Sequence, residues 1–216
     1  MKVALIGATG FVGKAILNEL VSRGNEVIAI ARDLTKIDNN DEKVIKVAVD
    51  VLDTEKLAAS LSGADAVVSA FNAGWTNPNL YEDTITGAKA IQAAVTASGV
   101  RRYIFIGGAG TLQINGHQIV DGPNFPAEYK PGATAVRDYF NILKAEKELD
   151  WLFFSPAIEM HQGITTGRTG QYRLGKTSPV FNDAQRSILS VEDLAVVIAD
   201  ELENNNHHQE QFTAAY

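Results

Sequence analysis

The chain contains no cysteine among its 216 residues. That absence excludes disulfides, thiol nucleophiles and thiolate metal sites together. It fits a reducing compartment, and a cytoplasmic location is the expectation. No apolar run approaches the roughly 18 residues that a membrane span needs. Gly7 and Gly10 interrupt the amino-terminal apolar stretch too early for a secretory signal. Positive charge is also scarce: Lys and Arg total 19 against 26 Asp and Glu, a net charge of −7. Without basic blocks, such a chain is poorly suited to nucleic acid or an anionic membrane. The adjacent His207 and His208 have no acidic or histidine neighbour at zinc-like spacing, so no metal is expected. There is no internal repeat, linker or low-complexity tract. A composition of 45% hydrophobic and 21% charged residues suits one folded domain over residues 1–216.

What is present is a regular alternation. Short apolar runs at 3–6, 27–31, 44–49, 66–71, 102–106 and 151–154 predict strands. Helical patterns lie between them. Val12, Ile16 and Leu20 share one face of a helix over 10–23, with Gly24 as its stop. Asp53 or Thr54 caps a short helix to Leu61, and Ile85, Ala88, Ile91 and Val95 stripe a longer one over 81–98. Val136, Phe140 and Leu143 mark another, ending before Asp150. Strands apolar nearly throughout and separated by helices predict a parallel sheet covered on both faces. The fold class is therefore α/β, a doubly wound parallel sheet. After Pro156 the pattern changes. Gly163, Gly167, Gly170 and Gly175 punctuate short pieces with strand-like 171–174. Ser190-x-x-Asp193 then resembles a capping box, opening a helix with Val191, Leu194, Ile198 and Leu202 inward. Residues 157–216 are expected to form a small substrate-side lobe.

The chemistry is announced by Gly7-Ala8-Thr9-Gly10-Phe11-Val12-Gly13. The motif follows a predicted strand and opens a predicted helix, the context that makes it a dinucleotide signal. A helix amino terminus offers unpaired N–H groups and a positive dipole end to a pyrophosphate. Gly7 permits the tight turn, Gly10 clears the phosphate approach, and Gly13 lets helix and strand pack closely. Gly7, Thr9, Gly10, Phe11, Val12 and Gly13 are thus the first cofactor candidates. In NAD-specific folds an acid about 20 residues beyond the glycines binds the ribose 2′-hydroxyl. Here that position is Ala31, 18 residues after Gly13, and Arg32 follows it. A guanidinium in place of an acid favours the 2′-phosphate of NADP over NAD. Arg32 as a solvated strand-end charge is the alternative.

With GATGFVG at its head, the chain resembles the short-chain dehydrogenase/reductase superfamily. The branch is the atypical or extended one, which holds NmrA-like proteins, nucleoside-sugar epimerase-like proteins and biliverdin-IXβ/flavin reductases. The group of proposed NADH-flavin reductases is the nearest match. Further support comes from Asp50, Asn72-Ala73-Gly74, Gly107-Gly108-Ala109-Gly110, the 150–157 segment and the 188–195 segment. The resemblance implies an NAD(P)-binding Rossmann fold. It puts Asp50, beside Val51, at the adenine edge, although a simple turn role for Asp50 is equally open. It adds Ala70, Phe71, Asn72, Gly107 and Gly108 to the dinucleotide contacts, and Ser155, Pro156 and Ala157 at the carboxamide edge of the nicotinamide.

The superfamily's usual Tyr-x-x-x-Lys pair places an acid–base tyrosine and a lysine on one helical face. Only Tyr172 and Lys176 have that spacing, and they fall in a glycine-bounded segment that reads as a hairpin. The serine is missing as well: beyond the fifth run the first hydroxyl is Thr111. These departures argue against epimerase, dehydratase and ordinary carbonyl reductase chemistry. They leave direct hydride transfer to a flavin (FMN or FAD as substrate), a quinone or a similar flat acceptor. A non-catalytic NADP-binding sensor of the NmrA-like kind is the main alternative, and an epimerase/dehydratase-like enzyme the second. Substrate candidates are Trp75, Thr111, Tyr129 and His161. Trp75 stacks on an acceptor or simply covers the sheet end. Tyr129, Lys130 and His161 are the weak catalytic candidates. Monomer and homodimer are both left open.

Overall fold

The apolar runs become the strands, because side chains buried on both faces leave no room for polar alternation. The computed structural model of the protein describes residues 1–216. In chain order the elements are β1 (Lys2–Ile6), α1 (Phe11–Ser22), β2 (Glu26–Ala31), β3 (Val44–Ala48), α2 (Thr54–Leu61), β4 (Ala66–Ser69), α3 (Leu80–Ser98) and β5 (Arg102–Ile106). They continue with β6 (Gln113–Ile114), β7 (His117–Gln118), α4 (Lys130–Leu143), β8 (Asp150–Ser155), β9 (Arg173–Gly175), α5 (Val191–Asn204) and β10 (Glu210–Ala215). Eight strands form one sheet in the order β3-β2-β1-β4-β5-β8-β10-β9. Every pairing in it is parallel except β9 on β10. This is the expected α/β Rossmann fold. The strand order reverses between β1 and β4, so the ligand crevice opens above their carboxyl ends.

Neighbouring residues on each strand feed opposite layers. Phe154 packs with Ile16, Leu20, Leu194, Ile198 and Phe212 beneath α1 and α5. Phe153 packs with Leu57, Ile91, Phe105, Tyr139 and Leu143 beneath α2, α3 and α4. Each such side chain contributes about 1.5–3 kcal/mol on full burial, so both layers hold the sheet in place under the crevice. No helix is long and apolar enough to cross a membrane.

Three expectations shift in detail. On α1, Val12 is only partly buried, and Leu17 completes the stripe with Ile16 and Leu20. The expected lobe is narrower than 157–216. α5 and β10 belong to the sheet and its helical layer, so only 158–189 stands outside, tied on by β9 and by an isolated bridge from Glu159 to Ile188. The box at α5 is half made. Ser190 Oγ accepts from the Asp193 amide at 3.0 Å, but the Asp193 carboxylate does not return the bond. It accepts instead from Thr169 N, Thr169 Oγ1, Gly170 N and Tyr216 Oη. A fully buried carboxylate thereby anchors the 158–189 segment to α5.

Candidate functional site

The three glycines of the loop have three different physical reasons. Gly7 has φ +82°, and a Cβ there would lie 2.6 Å from the Ala70 carbonyl oxygen. Gly13 sits so close to the loop that its Cβ would lie 2.0 Å from the Gly7 carbonyl oxygen. Gly10 has an ordinary extended backbone, and the only atom its Cβ would approach is the Gly7 carbonyl oxygen, at 3.4 Å. Nothing inside the protein requires glycine at position 10. The space is kept on the outer side, over the start of α1. There Gly10 provides no side-chain cap, and the first turn holds no acidic residue. The amides of Thr9, Phe11, Val12 and Gly13 donate to no group of the chain; the first bond back to the cap is Lys14 N to Gly10 O at 2.9 Å. Four free donors in a cradle that a side chain would fill fit a diphosphate.

At the end of β2, Ala31 is buried and Arg32 is exposed. Arg32 makes no ion pair or hydrogen bond within the chain. Asp33, the nearest acid, is already committed. Its carboxylate accepts from Thr35 Oγ1 at 2.6 Å and Thr35 N at 3.0 Å, capping a turn of 3-10 helix. The Thr35 hydroxyl and amide hold that carboxyl below its usual range. Asp50 is exposed and accepts from Leu52 N at 3.0 Å, so it does make the turn, with one oxygen left over; Val51 is half-buried beside it. Arg32 thus stands at the end of β2 as an exposed guanidinium with no acid paired to it.

The other end of the crevice is built from the loops after β4, β5 and β8. Ala70 turns its carbonyl toward Gly7, while Phe71 packs inward, its ring where a Cβ on Gly87 would lie at 2.4 Å. Asn72 closes its own turn by accepting from Gly74 N at 2.7 Å. Gly107 is small for an internal reason: the Phe153 ring would lie 2.2 Å from its Cβ. Gly108 alone of that pair is open, with Val136 no nearer than 3.8 Å. Of the two glycines expected at the dinucleotide, Gly108 is therefore the one with open space beside it.

Ser155, Pro156, Ala157 and Thr111 are all buried. The Ser155 and Thr111 hydroxyls meet each other at 2.8 Å inside the protein. A direct substrate contact by the Thr111 hydroxyl, or a cofactor contact by the Ser155 hydroxyl, is therefore corrected; each is satisfied internally. Gln211 on β10 completes the group and carried no signal in the sequence.

The family model for NAD(P)H-binding proteins matches residues 7–205. The chain belongs to the NAD(P)H-binding family. That family sits within the atypical short-chain dehydrogenases/reductases that the glycine loop resembles. A proposed epimerase from Bacteroides thetaiotaomicron has the same fold, with TM-score 0.91 and 43% identity over 100% of this chain and 96% of that one. A proposed NADH-flavin reductase from Streptococcus pneumoniae superposes with TM-score 0.85 and 33% identity, covering 100% and 99% of the two chains. The uncharacterized protein YwnB of Bacillus subtilis is 32% identical over 99% of this chain and 97% of its own length.

For a member of the NAD(P)H-binding family, the acid–base candidates are dispersed. Trp75 and Tyr129 do come together, edge to face with centroids 5.6 Å apart, and both are about half exposed. Trp75 rests on Gly132 in the first turn of α4, which has no Cβ to push it away. Lys130 opens α4, exposed and in no ion pair. Four residues beyond Tyr129 stands Ala133, so no lysine backs the phenol. His161 is exposed, and its Nδ1 accepts from Gly163 N at 3.1 Å, a local turn with no partner at the crevice. Tyr172 donates to Asp200 while Lys176 pairs with Glu210, so the one Tyr-x-x-x-Lys spacing brings nothing together. Tyr139, on α4, is sealed in the core against Tyr103. The His pair does find acids through the fold: His207 meets Glu201 at 2.6 Å and His208 meets Asp150 at 2.9 Å. Arg102 already bridges both carboxylates, at the amino-terminal edge of the sheet away from the crevice.

A cavity of about 710 Å³ runs down the flank of α1 beneath the 158–189 segment, from Thr9 and Phe11 to Ser22. Its other walls are mostly polar, including Lys14, Asn18, Arg168 and Glu192, with Ala15 and Val191 between them. It adjoins the phosphate loop, but it is not the mouth that Trp75 and Tyr129 edge.

Proposed function

We propose that the protein is an NADPH-dependent reductase that passes hydride to a flat acceptor, a flavin or a quinone, with FMN and FAD as substrates. The observation that carries this reading is an exposed Trp75–Tyr129 pair and a side-chain-free phosphate cradle, both on loops beyond the carboxyl ends of the parallel strands. Bound reduced nicotinamide supplies hydride, and stacked rings pass it directly with position as the main requirement. The residues of this chain provide that position. The Phe11, Val12 and Gly13 amides hold the diphosphate, and Arg32 pairs with the 2′-phosphate. Gly108 leaves a flat floor, and Trp75 offers a wall for an aromatic ring. The mouth is open, so the proton that accompanies hydride reaches the acceptor from water. The likeness to the Streptococcus pneumoniae protein supports the acceptor class, although Arg32 favours NADPH where that protein is named for NADH. Epimerase chemistry lacks a lysine-backed tyrosine here.

One observation favours a second reading. The Thr111 and Ser155 hydroxyls are internal, as suits an NADP-binding sensor that turns nothing over. Following NADPH absorbance with FMN, FAD and a quinone panel separates the two. Saturable oxidation above the enzyme-free rate is the expected result. Tight NADPH binding with no turnover on any acceptor would establish the sensor instead.

A further inference from the structure

Gln211 is 6% exposed, on the last strand of the chain, two strands from β5. Its Nε2 lies 2.8 Å from Ser155 Oγ, 3.2 Å from Thr111 Oγ1 and 3.3 Å from the Thr111 carbonyl oxygen. A carbonyl can only accept, so the amide nitrogen is the atom that faces this cluster. Thr111 Oγ1 donates its single hydrogen to the Gly108 carbonyl at 2.7 Å. It must then accept from Ser155, whose own oxygen accepts from Gln211. The bonds therefore run one way: Gln211 Nε2 to Ser155 Oγ, to Thr111 Oγ1, to Gly108 O. A directional chain of this kind, braced by the direct bond from Gln211 to Thr111 Oγ1, is rigid, and each bond polarises the next.

Its end point is a peptide that needs fixing. Three of the four residues in Gly107-Gly108-Ala109-Gly110 are glycine, and such a segment has many backbone states of similar energy. Gly107 is held by its amide to the Phe154 carbonyl at 2.8 Å and by the Phe153 ring. Gly108 has no such packing: its carbonyl accepts from the Thr111 amide at 3.1 Å, in a single turn of 3-10 helix, and more tightly from Thr111 Oγ1. Its carbonyl is drawn toward the buried Thr111 hydroxyl, and a Cβ on its Cα would meet nothing nearer than Val136 at 3.8 Å.

We propose that Gln211 is a positioning residue, which acts through Ser155 and Thr111 to set the Gly108 peptide as the floor for the nicotinamide ring. The proposal rests on the reading that this crevice takes NADPH. It makes the carboxyl-terminal strand part of the reacting end while leaving the phosphate loop untouched.

The test uses the full chain and two substitutions that keep volume, Gln211→Leu and Thr111→Val, with Thr111→Ser as the conservative rescue. Three quantities are read: calorimetric affinity for NADPH, affinity for 2′,5′-ADP (which lacks the nicotinamide), and the rise in nicotinamide fluorescence on binding. Both variants should keep both affinities within twofold of wild type and lose at least half of the fluorescence rise. FMN turnover should drop tenfold or more. Thr111→Ser should behave as wild type. The double variant should be no worse than either single one, because both cut one chain. An unchanged fluorescence rise in Gln211→Leu and Thr111→Val overturns the proposal. So does a fall in 2′,5′-ADP affinity in step with turnover, which marks general damage. If Gln211→Leu does not fold, the contrast between Thr111→Val and Thr111→Ser decides. A wild type that binds NADPH but oxidises it with no acceptor ends the reductase reading, and the fluorescence contrast still decides the role of Gln211. A wild type that binds no NADPH ends both.

Discussion

Two helices of one layer begin in opposite ways. α1 starts at Gly10, with no capping side chain, no acid in its first turn and amides that bond to nothing. α5 starts at Ser190, whose hydroxyl caps it, followed at once by Glu192 and Asp193. The positive end of a helix attracts anions, and an isolated terminus leaves its first N–H groups unpaired. In α5 the protein answers both demands with its own side chains, and the second acid holds the 158–189 segment. In α1 both demands are left for something else to meet. An uncapped helix start is therefore informative only when side chains that would cap it are absent by construction. Here Gly10 is that construction, since its Cβ would have room.

The largest expected effects come from exchanging these roles. Gly13→Ala places a Cβ 2.0 Å from the Gly7 carbonyl oxygen, so the loop must move. It should cost about 3 kcal/mol or more in urea unfolding and abolish NADPH binding. Gly10→Asp gives α1 the kind of start that α5 has. The backbone there is already extended, so stability should hold or rise by a few tenths of a kcal/mol. NADPH affinity should fall at least a hundredfold, by charge repulsion and a filled cradle. A binder of wild-type affinity with a normal melting curve would refute the anion role of this terminus.

Asp193 sharpens the other side. Removing it in Asp193→Ala strands the donors from Thr169, Gly170 and Tyr216, at a cost of about 3 kcal/mol. NADPH affinity should stay within twofold. Burial pushes this carboxyl up, but the bonds from Thr169, Tyr216 and Gly170 outweigh it and leave it below the ordinary value. Its folded form is thus favoured when ionised. The stability it adds is complete above the unfolded value, about pH 4, and is lost as pH falls through the lower folded value. Asp193→Asn should flatten that acid limb in urea titrations between neutral pH and about pH 3. An unchanged limb would remove the carboxylate from this role.

The α1 end was legible and the reacting end was not, for a physical reason. A phosphate loop is local: seven consecutive residues make the turn, the helix start and the cradle, so sequence order and spatial order coincide. Strands β1, β2, β4, β5 and β8 were legible too, because burial on both faces makes them continuously apolar. β10 was not, because Glu210-Gln211-Phe212-Thr213-Ala214-Ala215 carries only Phe212 as a large apolar side chain. With it went Gln211, whose partners are 56 and 100 residues away. Thr111 is the first hydroxyl after β5, a position that by sequence faces substrate; only the fold shows Ser155 waiting behind it. Trp75 and Tyr129 were each nameable, but their meeting depends on Gly132, whose role no spacing encodes.

Arg32 gives a smaller effect than the cradle, since it touches only one phosphate of the cofactor. Arg32→Asp should reverse the order of NADPH and NADH affinities, each moving about tenfold, near 1.4 kcal/mol. Because Arg32 pairs with nothing in the chain, stability should not change. Unaltered selectivity in a calorimetric comparison would return Arg32 to a solvated strand end.

The smallest effect is expected at Tyr172, and it tests whether spacing alone can stand for a site. Tyr172 and Lys176 have the sequence interval of a catalytic pair, but only a helix turns that interval into proximity. Here β9 begins at Arg173 and extends the chain, so Tyr172 and Lys176 diverge to Asp200 and Glu210. Asp200 also receives Arg23, the residue just past α1, at 2.6 Å, so the phenol closes a brace between the two helices and the 158–189 segment. Burial and the Asp200 bond push the phenol above its usual range, the opposite of what a tyrosine acting as a base near neutral pH requires. Tyr172→Phe removes one of the donors to Asp200 and leaves Arg23 in place. It should lower stability by about 1 kcal/mol and leave FMN turnover within twofold. A several-hundredfold loss of turnover without loss of NADPH affinity would make Tyr172 a proton donor after all, and the mouth beside Trp75 would no longer be where the chemistry happens.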